Sequence, residues 1–597
     1  MVILGIHDGH DASAALMVDG KIIAANQEER FSKLKGDYGY PFKAVQNCLE
    51  LAKLKSEDID LVSLASKTLN PVLLKIKRNA NFSVSDWIKE QNLYWKPTLL
   101  QKKKVNYWKL FGNNKKFKTD KYYNYKDMLG TYMDKKNMYV FQERRIDAIS
   151  NFLNIDKSKI HVQFHEDCHK YYSYFFFKDR SDGVLLTSES IGDFSSGSVS
   201  VVNNGNFKLV AHTKENHLGH IYQYMTLLLG MKPSQHEYKV MGMAPYANKF
   251  EINKCLKVFM DVLKVKKLNI VYKKKPKDLF FYFKEKFIAC RFDGIAGAVQ
   301  IFLEKMLLKW FDSCSKILKK KTFYFSGGVA QNIKAGMFVS ENSKKIRKLF
   351  IPPAAGDTSL SIGACYLLAS KICRKKNLDQ NKFIKPIETM YLGFKNKNSA
   401  PSFIKKNKYH LKYKYKQNYK SEEIAKFLSK GLVIGRCYGR MEFGLRSLGN
   451  RSILCDPRNF ENISIINKKI KKRDFWMPFT PTILSEDKNK FIKNPKKLDD
   501  RFMSMAFETK TYAHKNLQAA IHPYDKTARP QVLKKNHNRE YYDIIKSFKK
   551  ITGVGALLNT SLNLHGLPIA MSYEDAMNVF EKSDLDIIIL DNCFLKK

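Results

Sequence analysis

Nowhere in this chain do apolar residues run uninterrupted for the roughly 18 positions that a bilayer span requires, so no membrane-crossing helix is expected. The opening residues, Met1-Val-Ile-Leu-Gly5-Ile, carry no basic region ahead of a long apolar one, which argues against a signal peptide and for a soluble, cytoplasmic protein. The ten cysteines are scattered from Cys48 to Cys593 with no C-x-x-C pair. Neither a disulfide framework nor a zinc ribbon is therefore expected, and the thiols should be reduced and mostly buried. Acidic residues are scarce beside basic ones, 57 against 105, for a formal net charge of +48. Counterion release would favour a polyelectrolyte partner. Against that, the lysines are spread over the whole chain and no RNP, KH or zinc-finger pattern accompanies them, so solvated surface is the expected reading. No internal repeat is visible.

A chain of 597 residues with 44% hydrophobic content exceeds what one core organises, so more than one domain is expected. Two β-rich runs meet at Asp19-Gly20, a hairpin signal. Residues from about 70 to 140 turn rich in Lys, Asn and Tyr and read as a helical insertion or lid. From about 160 to 370 strands and glycine turns alternate with helical runs. The expected division is therefore an α/β domain over 1–370, a lysine-rich connection over 371–415 and a second α/β domain over 416–597.

Several segments carry chemistry. Arg440-Met-Glu442-Phe-Gly-Leu445-Arg446-Ser447-Leu-Gly449-Asn-Arg451 combines arginines, glycines and a carboxylate between apolar anchors. Guanidinium groups match oxyanions bidentately and glycines let backbone N–H groups approach the same oxygens, so the segment suits an anion; a solvated basic loop is the plainer alternative. Downstream lie Ile470-Lys471-Lys472-Arg473-Asp474, the run His522 to Gln531 that contains Arg529, and an apolar stretch ending in Asn559-Thr560-Ser561-Leu-Asn563. That stretch reads as a buried strand whose end offers hydroxyl and amide groups to an oxyanion. In Gln163-Phe164-His165-Glu166-Asp167-Cys168-His169 the histidines are four apart, which on a helix puts both on one face within reach of one cation, or else they are an ordinary exposed pair. Phe325-Ser-Gly327-Gly328 to Asn332 reads as a strand ending in a phosphate-type turn or in a plain strand-to-helix turn. His10, within Gly9-His10-Asp11-Ala12-Ser13, suits the handling of a hydroxyl proton near neutrality, or is a turn histidine held by Asp11 or Ser13.

Across these segments the chain resembles the O-carbamoyltransferase family, whose members modify nodulation factors and antibiotics such as tobramycin and cephamycin. Matches run from Gly5 to about Ile569. The resemblance implies an α/β architecture: an N-terminal actin/heat-shock-ATPase-like domain, similar to tRNA threonylcarbamoyl transfer proteins, followed by a C-terminal YrdC-like domain. It implies ATP-dependent conversion of carbamoyl phosphate to carbamoyl adenylate and transfer of the carbamoyl group to a hydroxyl of a sugar or secondary metabolite. Carried over residue by residue, it assigns Arg446, Lys471, Arg529, Ser561 and Asn563 to carbamoyl phosphate, with Arg446 and Lys471 catalytic. It assigns His10 to the acceptor hydroxyl, and Glu237, Lys239, Gly327, Gly328 and Asn332 to the nucleotide. It gives a metal to His165, His169, Asp357 and, in place of a family aspartate, Glu189; Cys168 receives no role. Fe, Mn or Zn fits two imidazoles and carboxylates, with Mg accompanying ATP. Besides Glu189, four positions depart from the family pattern: Ser190 for a glycine, Leu445 and Ser447 for Pro and Ala, and Met477 for an arginine, with Lys472 or Arg473 nearby as replacement cations. No membrane or nucleic-acid partner is implied, and a homodimer is an open expectation. Two rival readings are a tRNA threonylcarbamoyl-adenosine-type modification protein and a catalytically inactive nucleotide-binding protein.

Overall fold

The structure is a computed structural model that describes residues 1–124, 128 and 135–597, with the main chain alone at 135–137 and 469. The chain divides into two units, Met1–Ile387 and Glu388–Lys597. The 371–415 stretch is shared between them, residues up to 387 with the first unit and the remainder with the second.

The first unit holds two five-stranded sheets. One comprises β1 (Val2–His7), β2 (Ser13–Val18), β3 (Lys21–Gln27), β4 (Leu61–Ala65) and β5 (Ile160–Gln163), in the order β3-β2-β1-β4-β5. The first three strands pair antiparallel, while β4 and β5 add in parallel on the other side of β1. The second comprises β6 (Gly183–Ser188), β7 (Gly197–Asn203) and β8 (Asn206–Thr213), then β11 (Thr322–Ser326) and β12 (Lys348–Phe350). Between these in sequence, β9 (Leu263–Lys266) and β10 (Asn269–Tyr272) form a separate hairpin. The order β12-β11-β6-β7-β8 repeats the first sheet: an antiparallel meander from the central strand on one side, two parallel strands on the other. The topology is thus duplicated although the sequence shows no repeat.

Two helices lie against these sheets and carry the site. The helix Leu360–Lys375 packs on β1, β2 and β4 and against the helix His165–Phe175, which packs on β6 and β11. Gly363 makes that helix pair possible, since a Cβ there would lie 2.1 Å from the carbonyl oxygen of Cys168. The described part of the insertion is a series of short helices with its own apolar core, in which Val72, Phe82, Trp87, Tyr107 and Phe111 pack with Leu227 and Phe280. Inside it Arg78 donates to both oxygens of the buried Glu90, at 2.7 and 2.6 Å. Residues 125–127 and 129–134 of the expected insertion lie outside the described residues.

The second unit is built on one mixed sheet of eight strands: β13 (Lys414–Gln417), β14 (Ile434–Cys437), β15 (Arg451–Cys455), β16 (Thr480–Leu484), β19 (Gln531–Leu533), β20 (Ala556–Ser561), β21 (Ile587–Leu590) and β22 (Cys593–Lys596). The short pair β17 (Phe507–Glu508) and β18 (Thr527–Ala528) stands apart. The order is β13-β22-β21-β14-β15-β20-β16-β19. Its centre is the near-continuous apolar run that the sequence displays at β20, with Leu558, Ile453, Phe479 and Leu562 in one core. All ten cysteines are free, and all but Cys290 are buried. Among the described residues no helix is long and apolar enough to cross a membrane.

Candidate functional site

His165 opens its helix directly after β5, and His169 follows one turn later on the same face. Their Nε2 atoms face each other at 3.2 Å. Glu189 follows the end of β6 and brings Oε1 to 2.9 Å from His169 Nε2. Asp357, in the turn before the helix Leu360–Lys375, places Oδ1 3.6 Å from His165 Nε2 and 3.5 Å from His169 Nε2. One donor atom from each of these residues lies within 4.8 Å of the others. Donors bound about 2.0–2.2 Å from a single cation in tetrahedral or octahedral geometry stand about 2.8–3.6 Å apart, a range that holds the separations of 2.9, 3.2, 3.5 and 3.6 Å given above. His165, His169 and Glu189 are buried, His169 fully enclosed, and Asp357 is half-buried.

The glutamate at position 189 is accommodated by the turn that follows β11. Gly327 has φ +99°, and a Cβ on it would lie 2.2 Å from Glu189 Oε1. The N–H of Gly328 donates to Glu189 Oε2 at 2.9 Å. Ser190 is accommodated in the same way, because Gly219 lies where a Cβ would stand 3.1 Å from Ser190 Oγ. The electrostatics match a cation site. Burial disfavours charge on His169, yet Glu189 and Asp357 outweigh it and hold the imidazole up at about 10. Asp357 is half-buried, and desolvation would raise its carboxyl, but His165 and His169 keep it well below the usual range.

The turn after β1 approaches this cluster. His10 sits there, half-buried, in a bridge with Tyr38; its Nδ1 is buried with no hydrogen-bond partner among the described residues. Its Nε2 is 3.8 Å from Asp11 Oδ2. His7, which residue patterns do not single out, donates from Nε2 to the His10 carbonyl at 2.9 Å. Burial drops His7 to about 4, against the opposing charges of Asp357 and Asp8, so its imidazole is neutral.

The residues expected at a nucleotide are placed as follows. Gly327 and Gly328 form the turn that clasps Glu189. The Asn332 side chain accepts the Ala335 N–H at 2.9 Å, capping a helix, and donates to Gln300 at 2.9 Å. Glu237 accepts the Ser234 N–H at 2.6 Å; burial pushes its carboxyl up to about 7, partly offset by backbone donors and by His10. Lys239 lies on the same short helix, Glu237–Met243, half-buried.

In the second unit Lys471 is buried, and its ammonium converges on the end of β20. It donates to the Ser561 carbonyl, to Ser561 Oγ at 3.2 Å, to Asn563 Oδ1 at 2.7 Å and to the Asn563 carbonyl at 3.2 Å. Ser561 Oγ also donates to Asn563 Oδ1 at 2.6 Å. Arg446 lies half-buried in the loop between β14 and β15. The two residues after Arg446 tie this loop to neighbouring strands. The Ser447 carbonyl accepts from Asn559 of β20 at 3.2 Å and the Leu448 carbonyl from Gln531 of β19 at 2.9 Å, two residues beyond Arg529.

Two of the three arginines in the Arg440–Arg451 segment are engaged by backbone carbonyls. Arg451, fully buried, donates to the carbonyls of Met571, Tyr438 and Gly439, and Arg440 to those of Gly393 and Leu392. A tight loop leaves carbonyls that strands cannot satisfy, and these guanidiniums satisfy them. Glu442, missed as an organiser, accepts the N–H groups of Leu448 and Asn450, each at 2.7 Å, and of Arg451 at 3.2 Å. Met477 is buried, Lys472 is exposed, and Arg473 lies over the Phe479 ring at 5.3 Å.

Comparison with known proteins covers both units. Residues 2–366 match the family model for the carbamoyltransferase N-terminus and residues 425–597 that for the carbamoyltransferase C-terminus. An uncharacterised protein of Methanocaldococcus jannaschii is 30% identical over 100% of both chains. The nodulation protein NolNO of Sinorhizobium fredii is 27% identical over 98% of this chain and 79% of its own length. The 3'-hydroxymethylcephem-O-carbamoyltransferase of Amycolatopsis lactamdurans is 31% identical over 24% of this chain and 27% of its own. Among solved structures, component A of the (R)-2-hydroxyglutaryl-CoA dehydratase of Acidaminococcus fermentans matches 62% of this chain and 97% of its own at 14% identity. Its TM-score is 0.31, too low to carry an argument about the fold.

Proposed function

Because the chain belongs to the carbamoyltransferase family and is a carbamoyltransferase, we propose that it is an ATP-dependent O-carbamoyltransferase with one half-reaction in each unit. In the second unit, water hydrolyses carbamoyl phosphate, phosphate leaving to give carbamate, and a carbamate oxygen then attacks the α-phosphorus of ATP, giving carbamoyl adenylate and pyrophosphate. In the first, an acceptor hydroxyl oxygen attacks the carbamoyl carbon, AMP leaves, and a carbamate ester forms. The acceptor class is a small molecule or glycan bearing a free hydroxyl.

The observation that carries this reading is the convergence of the buried Lys471 ammonium on Ser561 and Asn563 at the end of β20. A fixed cation with hydroxyl and amide groups at a strand end is pre-organised for a phosphate whose charge grows as its bond breaks. Arg446 and Arg529 belong to the same function, each within two residues of a side-chain tie between the β14–β15 loop and the strands β19 and β20. Burial also suits an unstable intermediate, since carbamate decomposes in open water.

In the first unit His165, His169, Glu189 and Asp357 would hold a divalent cation, with Fe, Mn and Zn all suited to that donor set. Its chemistry there would be polarisation of the carbamoyl oxygen. His10 receives the acceptor's hydroxyl proton, and its buried, unpartnered Nδ1 supports that role. Gly327, Gly328, Asn332, Glu237 and Lys239 belong to the ATP or adenylate side of this unit, with Mg accompanying the nucleotide. The duplicated sheet order supports an actin/heat-shock-ATPase-like first domain, and the mixed sheet ending in Ser561 supports a YrdC-like second one.

The test is to incubate the purified full chain with ATP, a divalent metal and carbamoyl phosphate and to follow products by mass spectrometry. Carbamoyl adenylate and pyrophosphate should appear only when carbamoyl phosphate is present. Their absence from folded, metal-loaded protein would remove the reading.

A further inference from the structure

Ser66, directly after β4, has φ +70°, a left-handed backbone that a serine adopts at a cost. Its side chain is buried, and Oγ lies 3.0 Å from His165 Nδ1. His165 presents its other nitrogen, Nε2, to His169 and Asp357. A histidine that offers the Nε2 lone pair to a cation carries its proton on Nδ1, and Ser66 Oγ is placed to accept that proton.

Two side chains, a fully buried arginine and a half-buried aspartate, hold Ser66 in this conformation. Arg145, fully buried on the helix Lys135–Leu153 that closes the insertion, donates to the Ser66 carbonyl at 2.9 Å and to the Ala65 carbonyl at 3.1 Å. The same guanidinium grips both oxygens of Asp8, at 2.8 and 2.7 Å, in the turn between His7 and His10. From the other side, Asp193 accepts the N–H groups of Lys67 and Thr68, each at 2.8 Å, and that of His165 at 2.7 Å. One carboxylate therefore ties the residues after Ser66 to the first residue of the histidine helix. Backbone strain persists only where surrounding contacts over-determine it, and such strain gathers at functional positions.

From this arrangement we infer that Ser66 is a positioning residue for the metal ligand His165, fixing its tautomer and ring orientation, with Arg145 and Asp193 holding the strained turn that aims the hydroxyl. The inference rests on the metal-site reading of His165, His169, Glu189 and Asp357. It goes beyond that reading by making the insertion's closing helix a structural support of the centre.

The experiment titrates the metal-stripped full chain with Co²⁺, whose visible absorption reports affinity and coordination geometry, and measures thermal stability of the metal-free proteins in parallel. Ser66→Gly relieves the left-handed strain while deleting the hydroxyl. Its melting temperature should hold or rise while Co²⁺ affinity falls by about 10–100-fold and the absorption bands shift. Ser66→Ala, which keeps the strain, should show the same loss of affinity, separating the hydroxyl from the backbone. Wild-type affinity in Ser66→Gly would overturn the inference. If wild type itself bound no Co²⁺, or His165→Ala and His169→Ala bound it equally well, the metal-site reading would fall, and this inference with it.

Discussion

A Cβ on Gly327 would stand 2.2 Å from Oε1 of Glu189, so this glycine and this glutamate occupy one space between them. The longer carboxylate reaches His169 because the turn after β11 has no side chain there, and the next residue's N–H holds its second oxygen. The glycine pair expected to serve phosphate is thereby part of the wall of the two-histidine cluster.

Gly327→Ala should therefore damage both backbone and cluster. With φ +99° and ψ +170°, the position lies where only glycine is comfortable, and alanine there costs about 1–3 kcal/mol before the clash with Glu189 is added. The expected result is a lower melting temperature together with loss of bound metal. A variant that keeps wild-type metal content would show that Glu189 is not held by this turn.

Substituting His165 and His169 by alanine should empty the cation site, measured as metal per chain by elemental analysis after purification in each candidate metal. Retained metal in the double variant would assign the ion elsewhere.

The pH dependence of the metal-free protein follows from His169. Its folded value of about 10 lies above the ordinary 6.5, so its ion pairs with Glu189 and Asp357 stabilise the fold fully below pH 6.5. That contribution is lost as pH rises from 6.5 through about 10. Metal must displace the same proton, so metal affinity should increase about tenfold per pH unit across that window, opposite in sign to the metal-free stability. Denaturant titrations and metal-binding isotherms at several pH values would check both slopes. A flat affinity profile would mean that His169 is already neutral.

The His165–His169 pair was legible as an i, i+4 spacing, a local signal that survives folding, whereas Asp357 and Glu189 were joined to it only through the resemblance. Ser66 and Arg145 carried no such signal: they reach His165 and Asp8 only once β4, the insertion helix and the first turn have packed. The duplicated sheet order was invisible for a related reason, since strand pairing is satisfied by backbone groups and needs no repeated side chains. Arg440 and Arg451 misled because composition does not tell whether an arginine will meet a ligand or the carbonyls of its own loop. Lys471 lies 90 and 92 positions from Ser561 and Asn563 in sequence, and only the resemblance joined them before the sheet did.

Lys471→Ala should lower carbamoyl adenylate formation by about 10²-fold or more, the scale expected when one pre-organised charge partner of a reacting phosphate is removed. Arg446→Ala should act in the same direction. The lysine's four contacts at Ser561 and Asn563 make it the stricter test, since nothing else described at that strand end supplies an ammonium. Normal adenylate formation by Lys471→Ala would withdraw the second-unit site.

His10→Ala separates the two half-reactions. The histidine lies in the first unit, beside Asp11 and Tyr38, whereas the residues assigned to carbamoyl phosphate belong to the second. Adenylate formation should therefore continue at the wild-type rate, whereas carbamoyl transfer to a hydroxyl acceptor should slow by about 10²–10⁴-fold, the usual worth of a positioned acid or base. The comparison is made in one reaction mixture, with adenylate and carbamoylated acceptor followed together by mass spectrometry. Accumulation of adenylate with little product identifies His10 with the proton of the acceptor hydroxyl. Equal loss of both products would instead make His10 a support of the turn that His7 holds through its carbonyl.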